Sequence, residues 1–435
     1  MELLTLILCI LVCVYLDYSA KYRWLRLPGP WFYVPYLGHL ELLLNLGNPV
    51  KNILSLYNKY NQGGVCYTSL INQNNLLVGD YNTLKFLFNH PHVQNRVTSH
   101  TGNLYKYLSE NRGNSGPILG VMHSQGQLWK EQRRFTIRTL RDFGFGKRSM
   151  DELVKDEFKK FTQHIDKLLA TGIPMVNMEI IHLMKELINN HLKTLDVEQP
   201  RDFIDSYLIE IAGTTSPNSS FYGANGYENL AATLTDLFQA GSETTATTLR
   251  WAVLYLVLYP EVQQRIQVEL DRVLEDRDIE LGDKEDLPYS QAVILEIQRL
   301  ANILPHGGNH KTNMDVEVNG FVIPADTFIT PVYAAILQGS HWIEGEKFNP
   351  DRFLDNTGNL RKDEHLIPFS IGKRQCLGES LAKAQLFIFI TGLVRNYNLL
   401  VNPDTGAPLE HEYIPGFTIS PKPFSIILQR RVKNQ

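Results

Sequence analysis

Apolar positions recur along this chain with three different spacings, and each predicts a different element. Residues Leu3 to Leu16 are apolar apart from Thr5, with Lys21, Arg23 and Arg26 close behind. The run is short for a bilayer span of ~20 residues unless Asp17, Tyr18 and the basic flank lie at an interface. Positive charge follows the run instead of preceding it, which predicts a signal anchor over 1–20 in place of a cleaved signal, with the body on the cytosolic side. Leu27-Pro28-Gly29-Pro30, then Pro35 and Gly38, cannot continue a helix, so 21–38 reads as a basic, proline-rich hinge and 39–435 as the body.

Within the body, strand-like stretches run through Val65-Cys66-Tyr67-Thr68 and Asn75-Leu76-Leu77-Val78, the second ended by Gly79-Asp80. Helical spacing then dominates: near Trp129, over Glu152–Leu169 and over Glu179–Leu195. Gly213–Gly226 is rich in Gly, Ser, Thr and Asn and predicts a loop. A long helix is expected from Glu228 to Tyr259, closed by Pro260 and restarted at Glu261. Another covers Tyr289–Asn302, strands return between Val316 and Ile329, and a last long helix starts near Gly378. Helix outweighs strand and no α/β alternation is visible. The fold class is therefore mainly α with small β-sheets, an α+β arrangement.

Composition narrows the function classes. Of 435 residues, 43% are hydrophobic and 20% charged, the balance of a folded globular protein. A net charge of −4 argues against nucleic-acid binding through bulk positive charge. Four cysteines are too few for a disulfide scaffold, and Cys9 and Cys13 fall in the N-terminal apolar run, leaving Cys66 and Cys376.

Cys376 stands in Phe369-Ser370-Ile371-Gly372-Lys373-Arg374-Gln375-Cys376-Leu377-Gly378, a glycine-punctuated loop that enters a helix. Lys373, Arg374 and the backbone N–H groups of the helix start all favour thiolate over thiol. One thiolate does not make a zinc site of four ligands, but it suffices as the axial ligand of a haem iron. Gly372 and Gly378 would let backbone approach the sulfur, and Phe369 would shield it. A buried structural cysteine in a turn is the plainer alternative.

Three further patterns are weak alone. Ala240-Gly241-Ser242-Glu243-Thr244-Thr245 places an acid beside a hydroxyl in mid-helix, where the glycine costs about 1 kcal/mol and the threonine can simply back-bond to its own turn. Glu296 and Arg299 form an i,i+3 pair among Val293, Ile294, Leu295 and Ile297, where a buried pair needs further partners. Trp129-Lys130-Glu131-Gln132-Arg133-Arg134-Phe135 opens a basic helix, and an indole N–H or a bidentate guanidinium suits a carboxylate.

Together these segments resemble the cytochrome P-450 family, the haem-thiolate monooxygenases, and in particular its microsomal, membrane-anchored branch. The resemblance extends from the proline hinge to the C-terminal strands. It implies haem b (iron protoporphyrin IX) with Cys376 as axial thiolate, Phe369, Ala240 and Gly378 against the haem, and Trp129, Arg133, His310 and Arg374 on its propionates. It further implies Glu243 and Thr244 as the acid–alcohol pair that relays protons, and a structural network of Glu296, Arg299 and Arg352, the last from Phe348-Asn349-Pro350-Asp351-Arg352-Phe353. The reaction implied is insertion of one atom of O₂ into an apolar small molecule (steroid, fatty acid, terpenoid or foreign compound). Electrons would come from NADPH through a flavin reductase, with cytochrome b5 as a second donor, at the endoplasmic reticulum membrane. Lys130, Arg134, Arg138, Arg141, Lys147 and Lys373 would form the donor-docking face, and 104–119, 234–241, 303–308 and 414–417 would line the pocket.

The chain departs from the family between Trp129 and Ala240. Only about three helical patterns fit there, and the helices of the substrate-access roof are expected to be missing between residues 172 and 178. A haem-binding isoform with impaired catalysis, holding ligand or reductase, is the alternative this implies.

Overall fold

The computed structural model describes residues 2–43, 47–70, 73–96, 118–147, 150–171, 180–407, 412–416 and 418–431. The 172–178 junction, most of the 104–119 pocket segment and Phe417 lie outside the described residues.

The chain opens with helix α1 (Glu2–Leu25), which runs past the boundary expected between anchor and hinge. Its C-terminal half docks on the body. Asp17 and Lys21 are buried; Tyr33 Oη donates to Asp17 Oδ2 at 2.8 Å, Lys21 Nζ to Asn74 Oδ1 at 3.0 Å and Trp24 Nε1 to Thr327 Oγ1 at 2.7 Å. The N-terminal half exposes Ile7, Leu8, Ile10, Leu11, Val12 and Leu16. Among the described residues, no helix is long and apolar enough to cross a membrane.

Two helices follow that the apolar spacing did not announce, α2 (Pro49–Tyr60) and α3 (Tyr81–Asn89). Each has a side-chain cap: Asn48 accepts from the Lys51 N–H, and Asp80 from the Thr83 N–H. Strands β1 (Val65–Leu70) and β2 (Gln73–Val78) lie between them, at the expected place. With β3 (Asn95–Arg96), β4 (His310–Lys311), β5 (Val316–Val318), β6 (Phe321–Ile323) and β7 (Phe328–Pro331) they account for both strand-rich regions. Five of these form one sheet in the order β1-β2-β7-β4-β3, in which β2 and β7 are parallel. This sheet joins segments more than two hundred residues apart, pairing Arg96 with His310.

Helices α4 (Gly126–Asp142), α5 (Met150–Thr171) and α6 (Ile180–Thr194) match the expected periodicities. Helix α7 (Phe203–Gly213), capped by Asp202, adds one that the sequence reading missed. The long helix α8 (Gly223–Leu258) begins inside the stretch expected to be loop. Pro260 then starts α9 (Pro260–Leu274), followed by α10 (Pro288–Ala301), the short α11 (Tyr333–Leu337) and α12 (Glu379–Asn396). The largest core forms where α8, α9, α10 and α12 meet, around Trp251, Leu270, Ile297 and Phe387. A second cluster, Phe135, Tyr207, Phe221 and Leu230, fixes α4 to α7 and α8. Helix-rich with small sheets, the chain has the α+β class expected of it.

Candidate functional site: a cysteine loop beside a guanidinium cluster

The cysteine loop is a folded turn before it is a ligand. Ser370 takes φ +63° and Gly372 φ +80°, and the Cys376 N–H closes the turn on Phe369 O at 3.0 Å. At Gly372 a Cβ would lie 2.5 Å from Phe88 O, so the glycine is required by packing on the end of α3 and not by approach to the sulfur. Gly378 is the N-cap of α12; a Cβ there would meet none of the described residues.

Cys376 is exposed to solvent yet crowded by protein. Burial pushes its thiol pKa up, with Glu379 adding to the rise, against the Gly378 N–H and the Arg133 charge, which lower it. The expectation that Lys373 and Arg374 favour the thiolate fails. Arg374 turns away, with Nε donating to Gln94 O at 3.1 Å, Nη2 to Ser124 O at 2.8 Å and its guanidinium 3.7 Å from the Trp129 ring. Lys373 is exposed. Arg133 is the cation next to the loop, its Nη2 donating to Gln375 O at 2.6 Å.

Arg374 is one of three converging guanidiniums. Burial, then the charges of Arg96 and Arg133, lowers its pKa from the ordinary value. Its Nη1 is buried without a hydrogen bond to the described residues, and so is Trp129 Nε1. Arg96, which no sequence pattern singled out, reaches the carbonyls of Gly308 and Asn309 and lies opposite Gly308, where a Cβ would come 2.8 Å from its Nη1. His310 is buried, stacked on Phe88 at 3.9 Å, with Nδ1 2.8 Å from Val93 O. Burial holds its pKa well below the usual histidine value, so it is neutral and donates Nδ1–H to that carbonyl. Two orphaned donors beside three cations fit a ligand with two carboxylates, which is what haem would present here.

On α8, Thr244 Oγ1 donates to Ala240 O at 2.7 Å and Thr248 Oγ1 to Thr244 O at 2.8 Å. Glu243 accepts from Thr247 Oγ1 at 2.9 Å and lies 3.9 Å from Arg250. Phe238 to Glu243 form a continuous exposed stretch in the middle of this helix.

The ion network is buried and complete. Arg299 is wholly buried, with Nε donating to Glu296 Oε2 at 2.7 Å, Nη2 to Oε1 at 2.9 Å and Nη1 to the carbonyls of Leu337 and Gly345 at 2.7 Å each. Arg352 Nε donates to Glu296 Oε1 at 3.0 Å, and the Asn349 N–H donates to the same oxygen at 2.8 Å. Asp351 points elsewhere, to an exposed pair with Arg265. Lys130, Arg134, Arg138, Arg141 and Lys147 are all exposed on or just after α4.

Comparison with known proteins gives this geometry its context. The family profile for Cytochrome P450 matches residues 28–178 and 169–428, two stretches that meet at the expected junction. The chain is 33% identical to cytochrome P450 2J5 of Mus musculus over 72% of this chain and 75% of the relative. It is 32% identical to cytochrome P450 2J3 of Rattus norvegicus over 91% and 89%. That alignment runs over 468 positions against the 435 residues of this chain, so the relative carries residues this one lacks. Cytochrome P450 2J2 of Homo sapiens is 34% identical over 69% of this chain and 73% of the relative. Family membership implies haem iron, a redox partner and a small-molecule substrate. A cysteine loop at a helix start, beside converging guanidiniums, thus belongs to an oxidoreductase, and the chain is a member of the cytochrome P450 family of monooxygenases.

Proposed function

We propose that this chain holds haem b through the Cys376 thiolate and inserts one atom of dioxygen into an apolar small molecule, with NADPH electrons delivered by a flavin reductase. The observation that carries the reading is the juxtaposition of Cys376 with Arg133, on the loop that also sends Arg374 onto Trp129. Trp129, Arg96, Arg133 and Arg374 would bind the propionates. His310, donating Nδ1–H to Val93 O, would offer Nε2 as an acceptor, so it contacts a carboxylate only through that group's proton or by taking a proton itself. When bound, the haem would supply the oxygen-activating chemistry, with the Cys376 thiolate favouring O–O cleavage.

The chain's own part is to govern protons and water. Thr244 holds its hydroxyl on Ala240 O, and Glu243 stands one residue before it with a hydroxyl and a guanidinium to orient its carboxylate. An acid and an alcohol on one turn can pass a proton inward. The exposed cations of α4 support docking of an acidic electron donor, with cytochrome b5 as a second candidate. The exposed apolar face of α1, with Trp31 and Phe32, supports residence on the endoplasmic reticulum membrane with the body in the cytosol.

A second reading, haem binding with little turnover, is favoured by the family match breaking at 169–178. Reconstitution with reductase and NADPH separates the two. Product formed in step with NADPH use supports the proposal, and Thr244→Ala should then consume NADPH with at least tenfold less product. NADPH-independent inertness across apolar substrates, with haem fully incorporated, supports the second reading.

A further inference from the structure

Away from the cysteine loop, three metal-type donors converge where the segment leading into that loop crosses the turn after α11. His341 Nε2 lies 2.9 and 3.1 Å from the two Asp363 oxygens, and His365 Nδ1 lies 3.5 Å from Asp363 Oδ1. The three donor atoms all fall within 4.8 Å of one another. The two imidazoles stack at 3.7 Å with 16° between planes. His365 Nδ1 is buried and makes no hydrogen bond to the described residues, so one carboxylate serves two rings and satisfies only one.

The electrostatics suit a cation. Burial alone would raise the Asp363 pKa, but the hydrogen bonds from His341 and from the His365 N–H outweigh it and hold the carboxyl below its usual range. It is therefore anionic at neutral pH. His341 is partly exposed, at 38% of its side chain, so the group has an open side for water. Two imidazoles and one carboxylate suit zinc and similar divalent transition metals; calcium and magnesium prefer all-oxygen shells.

The comparable cluster at His191, Asp202 and Asp205 lacks this availability. Both His191 ring nitrogens are engaged, by Leu187 O and Asp202 at 2.8 Å each, and Asp205 is gripped by Arg201 at 2.6 Å.

We propose that His341, Asp363 and His365 bind one zinc-class divalent ion per chain, with water completing the shell. Each nitrogen lone pair lies in its ring plane, so two parallel rings cannot both aim at one ion. The exposed His341 ring must turn out of the stack, while His365 stays wedged against Tyr81, whose ring is 4.6 Å away. The ion takes the place of the proton His341 Nε2 shares with Asp363. It would tie the turn that gives the Gly345 and Ile343 carbonyls to Arg299 and Arg352 to the strand of chain just ahead of Phe369.

The test is calorimetric titration of chelator-treated, haem-loaded protein with Zn²⁺, followed by zinc-edge X-ray absorption. One saturable ion per chain is expected, in a shell of nitrogen and oxygen with two imidazoles. His341→Gln and His365→Gln should each weaken binding at least tenfold while leaving haem content unchanged. No saturable binding overturns the proposal, as does affinity unchanged in both variants. Sulfur in the zinc shell also overturns it, because Cys9 and Cys13 are exposed four residues apart on α1 and would then be the ligands.

Discussion

Replacing Glu296 by glutamine removes one negative charge from a site where no solvent reaches. The carboxylate accepts four hydrogen bonds: two from Arg299, one from Arg352 and one from the Asn349 N–H. Three of the four fall on Oε1, so an amide oxygen can take that place, but its NH₂ must then face the Arg299 Nε–H, donor against donor. Both guanidiniums keep their carbonyl partners and lose their counter-charge. Breaking a buried pair from one side costs about 3–5 kcal/mol, against a typical whole-protein stability of about 5–15 kcal/mol. The neighbouring pair supplies an internal standard. Asp351 and Arg265 are each more than half exposed, at 54% and 52% of their side chains, so Asp351→Asn should cost only about 0–1 kcal/mol. Urea unfolding followed by far-UV circular dichroism, run in parallel, should place the Glu296→Gln midpoint far below the wild-type value and leave the Asp351→Asn midpoint close to it. If the two variants unfold together, the buried network does not hold this part of the fold in the way described.

Three further outcomes follow from the same contacts. Trp129→Phe keeps the ring under Arg374 but deletes the unpaired indole N–H; a hydrogen bond to a charged group contributes about 1.5–3 kcal/mol, so haem transfer to an acceptor globin should speed up roughly tenfold or more, and an unchanged rate would remove Trp129 from the haem site. In haem-free protein, alkylation of Cys376 at neutral pH should be slower than that of an unperturbed thiol, since its thiol pKa is raised; mass spectrometry showing labelling as fast as a free thiol's would contradict the balance of burial over Arg133. His39 accepts the Ser69 N–H through Nδ1 and is held at about 4 by burial. The unfolded chain takes up this proton first, near 6.5, so roughly 3 kcal/mol of stability should drain away as pH falls from about 6.5 to 4. His39→Gln should flatten that part of the pH–stability profile.

How far the sequence could be read depended on whether the groups involved are neighbours along the chain. The cysteine loop and the Glu296–Arg299 pair are contiguous or one helix turn apart, so residue type and spacing carried them. Arg96 was invisible because only the β3–β4 pairing brings it to His310, across more than two hundred residues. The error over Lys373 and Arg374 has the same root. Adjacency in sequence fixed where their Cα atoms lie, but Trp129, Gln94 and Ser124 decided where the Arg374 guanidinium points. Helices α2, α3 and α7 were missed because their starts are marked by the side-chain caps Asn48, Asp80 and Asp202, of which only Asp80 was read, and as the end of a strand.

The central claim is thiolate ligation by Cys376, and the carbon-monoxide difference spectrum of the reduced, haem-loaded protein tests it most directly. The account predicts the red-shifted Soret band of a thiolate-ligated haem, lost in Cys376→Ser. No such band from folded, haem-loaded wild-type protein, or the same band in the serine variant, would contradict it.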